Sequence, residues 1–154
     1  MIGPRPRNVF RGVGLNVNGL PVSVDDEKNE HFFIALRQYQ VNSIMLQEVN
    51  LNEGNLGRRH KLWKRVRTQL GPSAKLVHAY NQHDATGTRQ LYGGTGIIST
   101  GDAAHLAMGC GVDPSHMGRW CWARFRGRNN IVLRLVSAYP VSYTHLTLPT
   151  NREV

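Results

Sequence analysis

At 154 residues with 40% apolar content, the chain has the length for one ordinary domain or for part of a larger one. No apolar run approaches the length of a membrane helix, and Met1 to Arg7 puts basic residues ahead of no apolar core, so neither a membrane span nor a secretory signal is expected. Nineteen Lys and Arg against ten Asp and Glu leave a formal charge of +9, which favours a polyanionic partner, nucleic acid before membrane because no basic amphipathic surface helix stands out.

In chain order, a first strand is expected from about Val9 to Val17. Its alternation puts Asn16 and Asn18 on one side before Gly19-Leu20-Pro21 ends it. Ser23 to Glu27 is an acidic, cap-like opening for a helix reaching about Tyr39, with Phe32, Leu36 and Tyr39 on its core face. A second strand, Val41 to Glu48, completes a βαβ unit. Its unbroken run Ile44-Met45-Leu46 suits burial on both faces, and Glu48 follows at the carboxyl end, where open α/β sheets place ligands. If the two strands are neighbours, two amides and a carboxylate converge on one spot, a hard oxygen-rich cluster of the kind Mg²⁺ prefers. Taken singly, Asn16 and Asn18 also read as turn residues before Gly19, and Glu48 as an exposed acid at a strand end.

A second helix is expected from about Leu56 to Leu70, with Leu62, Val66 and Leu70 as its apolar stripe and Trp63 flanking it. Arg58, Arg59, Lys61, Lys64, Arg65 and Arg67 occupy the other faces, either as a track for phosphates or as a solvated helix surface. Lys75 to Tyr80 reads as a third strand, Asn81 to Gln90 as a polar loop, and Tyr92 to Ser99 as a strand with close backbone approach at its start. The glycines there and at Gly12-Val13-Gly14 lack the spacing of a nucleotide fingerprint. Trp120 to Arg126 alternates, with Cys121, Ala123 and Phe125 on one face, and Ile131 to Tyr139 returns as the other arm of a hairpin. A βαβ opening that passes into hairpins implies a mixed sheet in an α/β or α+β sandwich. Cys110 and Cys121 fit neither a zinc site nor a disulfide framework and are expected to be reduced. Residues 141 to 154 resemble a translated sequencing adapter and are set aside from the fold, leaving 1 to 140 as the domain.

Together these pieces resemble the endonuclease/exonuclease/phosphatase superfamily. Leu15-Asn16-Val17-Asn18-Gly19-Leu20 resembles its opening strand and Leu46-Gln47-Glu48 its metal motif. Tyr92 to Ser99 is similar to the strand of the apurinic-endonuclease branch, and Val136-Ser137-Ala138-Tyr139 to the strand ending in the catalytic tyrosine. The resemblance implies the amino-terminal part of a four-layer αββα sandwich, truncated, because the Gly-Asp-x-Asn segment and the closing Asp-His pair of the family are absent. It further implies metal-dependent hydrolysis of DNA phosphodiesters, with Glu48 and Asn18 holding Mg²⁺ or Mn²⁺, Asn16 orienting hydrogen bonds and Tyr139 reaching the scissile phosphate. Tyr92 would lie near the DNA groove, and Arg58, Arg59, Lys61 and Arg65 would serve as phosphate contacts.

The stretch from Gly118-Arg119-Trp120 to Tyr139 resembles retroelement endonuclease domains, which implies a reverse transcriptase in the same full-length chain and a nuclear setting. No membrane and no small-molecule cofactor is expected. The missing base makes the fragment itself catalytically incomplete. Two other readings stay open, a basic nucleic-acid-binding fragment without chemistry, and a phosphatase or lipid phosphodiesterase of the same superfamily.

Overall fold

The computed structural model describes residues 5–6, 9–83 and 87–139, so the expected tail at 141–154 lies outside the described residues. The elements run β1 (Gly12–Asn16), α1 (Glu27–Gln38), β2 (Ser43–Gln47), α2 (Leu62–Leu70), β3 (Lys75–Ala79), β4 (Thr95–Ser99), α3 (Gly101–Leu106), β5 (Ala107–Val112), β6 (Trp120–Arg126) and β7 (Val132–Ala138). A first sheet has the order β1-β2-β4-β3 and is mixed: β1 pairs parallel with β2, and β4 runs antiparallel to both β2 and β3. A second, antiparallel sheet has the order β5-β6-β7.

Two apolar clusters stack these elements into layers. Phe33 and Leu36 of α1 and Leu62 and Val66 of α2 pack with Ile44, Leu46 and Ile98, which covers one face of the first sheet with helices. On its other face, Ile97, Met45 and Val77 meet Cys121, Ala123, Phe125 and Leu135 of the second sheet. The result is an α+β sandwich of helices, mixed sheet and antiparallel sheet, as the sequence implies. Strand alternation puts Trp122, Val132 and Val136 on the far face of the second sheet, where Arg134 lies 4.9 Å from the Trp122 ring and Val136 is 52% exposed.

Several element bounds differ from the sequence reading. The core face of α1 is Phe33 and Leu36, with Phe32 edge-on to Phe33 at 5.0 Å, while Tyr39 caps the helix and is 41% exposed. Asp26 starts that helix by accepting the Lys28 N–H at 2.9 Å, a cap worth about 1 kcal/mol. The second helix begins at Leu62 rather than Leu56: Glu53 to Asn55 form a 3₁₀ turn, and Leu56 enters the core from extended backbone. Glu53 Oε1 accepts the Leu62 N–H at 2.9 Å, so an acid nine positions upstream satisfies the first turn of α2. Strand β4 starts at Thr95 because Gly93 and Gly94 both turn through positive φ.

The two cysteines part company. Cys110 is exposed, whereas Cys121 is buried between the sheets, and burial pushes its thiol up to about 12. A thiol-reactive dye is therefore expected to titrate one cysteine in the native chain and a second only after denaturation; fast labelling of both would contradict this packing.

Candidate functional site

The parallel pairing of β1 with β2 puts Asn16 opposite Gln47, so the residues that follow each strand emerge side by side. The backbone continues the pairing beyond the strands: Val17 N–H donates to the Gln47 carbonyl at 3.0 Å and Gly19 N–H to that of Glu48 at 2.7 Å. Glu48 adopts φ of 52°, which ends strand alternation and turns its carboxylate toward the β1 end. There the Asn16 amide donates from Nδ2 to Glu48 Oε1 at 2.9 Å, and the other end of the same amide, Oδ1, accepts the Asn18 N–H at 2.9 Å. Tyr139, just past β7, donates its hydroxyl to the same carboxylate.

Three sequence-distant residues thus form one hydrogen-bonded set. The Tyr139 hydroxyl, followed by the Asn16 amide, holds the Glu48 carboxyl below the usual glutamate range, and the carboxylate in turn raises the Tyr139 phenol. Tyr139→Phe is accordingly expected to move the Glu48 titration upward toward an ordinary glutamate, read by side-chain carboxyl NMR; an unchanged titration would remove Tyr139 from the set. Since the folded pKa is depressed, this contribution to stability is present above the unfolded value and is lost as pH falls through the folded one.

Asn18 departs from the expected strand alternation. The strand ends at Asn16, and Asn18 sits in the turn with φ of 45°, its side chain free of hydrogen bonds to the described residues. Together with Asn50, Arg89 and Tyr92 it lines a cleft of about 730 Å³, from which Tyr92 projects 82% exposed.

The basic residues differ in their surroundings. Arg58 is exposed and engages no described partner, and Arg59 is ion-paired with Asp25 at 3.0 Å. Lys61 donates to the Glu53 carbonyl at 2.9 Å. Arg65 is 4% exposed, donates from Nη1 to the Pro21 carbonyl at 2.6 Å, and is lowered to about 10 by burial. The expectation that Arg65 belongs to a solvent-facing phosphate track is therefore corrected: its side chain is buried in the wall between α1 and α2 and does not lie on the helix exterior.

Three residues to which the sequence assigned no role of their own support the site. Lys28 Nζ donates to the carbonyls of Val17, Asn18 and Gly19 at 2.8, 3.1 and 2.6 Å, fastening the turn that carries Asn18. Asn50 Oδ1 accepts the Gly93 N–H at 2.7 Å, and its Nδ2 lies where a Cβ on Gly19 would meet it at 3.1 Å, so it ties the Gly19 turn to the Gly93 turn. Ser137 donates to the Leu46 carbonyl at 2.7 Å and accepts from Gln47 Nε2 at 3.1 Å, which fixes the end of β7, and with it Tyr139, over the end of β2.

The fold is shared with a known phosphatase. The 3' phosphatase NExo from Neisseria, solved bound to a product DNA hairpin, matches with a TM-score of 0.53 at 15% identity over 85% of this chain. This chain spans 41% of the length of that one, which has the endonuclease/exonuclease/phosphatase-like fold. No family model matches the chain, and no curated protein matches it in sequence.

Among the described residues no three His, Cys, Asp or Glu side chains cluster as a metal site. The donor set at Glu48 nevertheless suits one kind of ion. Mg²⁺ binds through one or two carboxylates while keeping several waters, and Glu48, its carboxyl held below the usual glutamate range, offers one such carboxylate, with Asn18 two residues past its Asn16 partner.

Proposed function

We propose that this chain supplies the metal-holding end of a DNA phosphodiesterase site, as the amino-terminal part of a larger endonuclease-type domain. The observation that carries the reading is the Asn16–Glu48–Tyr139 set at the carboxyl end of a parallel strand pair, the place where such sheets put their ligands. Support comes from the fold likeness to a DNA 3' phosphatase and from the chain's charge of +9.

In this reading Glu48 and Asn18 hold Mg²⁺ or Mn²⁺, which supplies charge neutralisation at the phosphate and leaving oxygen. The remaining work falls to the chain's own groups. Asn16 keeps the carboxylate aimed by a hydrogen bond to its Oε1. Tyr139, its phenol raised and therefore protonated at neutral pH, can turn its hydroxyl to a phosphate oxygen as a neutral donor. Tyr92 and Arg89 in the adjoining cleft provide a stacking face and a cation for the DNA strand. No group placed to generate the attacking hydroxide is found among the described residues, so the chain alone is read as unable to turn over. The retroelement assignment, with a reverse transcriptase in the full-length chain, rests on the resemblance of Gly118-Arg119-Trp120 through Tyr139.

The test is a Mn²⁺ titration of isotope-labelled chain. Paramagnetic broadening is expected first at the side-chain amides of Asn16 and Asn18; broadening centred on Asp25, Glu27 and Glu30 instead would end the metal reading. Supercoiled plasmid with Mg²⁺ is expected to stay intact, and nicking that Glu48→Ala removes would show that the chain is catalytically sufficient. Release of a 3'-terminal phosphate under the same conditions would favour the phosphomonoesterase alternative.

A further inference from the structure

A second cleft, of about 810 Å³, opens between α1 and α2, with Val24 and Asp25 on its wall. Its walls bring together five cations, Arg37, Arg58, Arg59, Lys64 and Arg65, against two acids, Asp25 and Glu30. One of those acids is already matched: Asp25 accepts from Arg59 with both oxygens, at 3.1 and 3.0 Å. Arg37 is held against Gln69, donating to its carbonyl and its side-chain oxygen at 3.0 and 3.1 Å. Arg58 and Lys64 make no side-chain contact of this kind with the described residues. The excess charge therefore sits on one wall.

The wall residue Arg65 is the sharper sign. Its Nη1 is spent on the Pro21 and Val22 carbonyls and Glu53 is its counter-charge, but Nε and Nη2, the two donors along one edge of the guanidinium, are buried with no hydrogen-bond partner. That edge is the one that takes a carboxylate or phosphoryl group through two parallel hydrogen bonds. Leaving two charged donors unpaired away from water costs free energy that an oxyanion would return. A surface salt-bridge network would not leave such a fork unused.

We propose that the α1–α2 cleft is a binding site for a compact oxyanion of phosphate chemistry, with Arg65 as its fork and Arg58 and Lys64 as its rim. The site stands apart from Glu48 and does not depend on a metal.

The experiment is calorimetric titration of the chain with pyrophosphate at low salt in the presence of chelator, so that no divalent ion can mediate binding. Saturable binding is expected, weakening as salt rises. Arg58→Ala/Lys64→Ala is expected to lower the affinity at least tenfold. Arg65→Lys keeps one donor for the Pro21 carbonyl but has no fork, and is expected to lower affinity about tenfold with unchanged circular dichroism. Glu48→Ala is expected to bind as the parent does. A parallel titration with a 5'-phosphorylated tetrathymidylate and its unphosphorylated counterpart identifies the source: binding of pyrophosphate indicates a free small anion, and binding of the phosphorylated oligonucleotide alone indicates a nucleic-acid end. Absence of saturable binding in every arm, full affinity in Arg58→Ala/Lys64→Ala, or loss on Glu48→Ala would overturn the proposal. Because the chelated assay is blind to a metal at Glu48, the metal reading and this one fail separately.

Discussion

Glu48→Gln is expected to weaken Mn²⁺ binding at least tenfold, about 1.4 kcal/mol, while leaving the fold in place. The substitution is close to isosteric, and the glutamine oxygen can still accept from Asn16 Nδ2 and from the Tyr139 hydroxyl. What it removes is the negative charge. A hard divalent ion bound to one protein carboxylate and otherwise to water and amide oxygen loses most of its attraction with that charge. Glu48→Ala would confound the loss of charge with loss of the hydrogen-bonded set, which is why the amide is the better probe. The same variant should lower the Tyr139 phenol toward its ordinary value, because the carboxylate that accepts its proton is gone. Two independent readouts, affinity by relaxation and phenol titration by absorbance, then report on one atom pair. Parental Mn²⁺ affinity in Glu48→Gln would mean that the ion sits elsewhere, whatever the phenol does.

The part of this site that could be read from sequence is the part built by strand ends. Asn16 and Glu48 follow from a buried apolar run and a neighbouring strand that stop at the same level; pairing brings them close, and the positive φ of Glu48 completes the 2.9 Å hydrogen bond. Asn18 is a candidate from the sequence whose geometry could not be read there, because a turn at positive φ has no alternation to extrapolate. Tyr139 came from motif order; its contact with Glu48 depends on Ser137 and Gln47 joining the two sheets, a tertiary fact.

Lys28 could not be recognised, since a lysine beside Asp26 and Glu27 at a helix start reads as a solvated charge. Arg65 was a different failure. It lies three positions after Leu62 and one before Val66, so the helical period puts it on the buried stripe although its charge points to solvent. Helix α3 is too short to show a period, and β5, Ala-Met-Gly-Cys-Gly-Val, is masked by glycines that sheet packing requires: a Cβ on Gly111 would lie 2.6 Å from the Trp122 indole nitrogen.

Gly118→Ala is expected to be the most damaging of the small-residue substitutions, costing about 3 kcal/mol and lowering Tm by roughly 10 °C. Gly118 has φ of 71°, and a Cβ built there would stand 2.6 and 2.7 Å from the backbone C and Cα of Tyr80 and 2.8 Å from the Asn81 nitrogen. Backbone cannot rotate away as a side chain can, so the methyl must separate two segments. Overpacking of this kind costs about 1–3 kcal/mol, and the left-handed conformation adds roughly 1 kcal/mol for any residue with a Cβ. The segments concerned are the end of β3 and the start of β6, bridged at Asn81 and Met117. Next in the chain, the Arg119 carbonyl accepts the Tyr139 N–H at 2.8 Å, so strain at Gly118 is transmitted to the tyrosine over Glu48. Gly14→Ala is the matched control: it lies in β1 without positive φ and with nothing within 4 Å of its Cβ, and should change stability by less than about 1 kcal/mol, in the stabilising direction. Thermal melts of the two variants should differ in sign, and the Glu48 titration should shift upward only in Gly118→Ala; equal melts would mean that the two sheets do not meet at Tyr80 and Gly118.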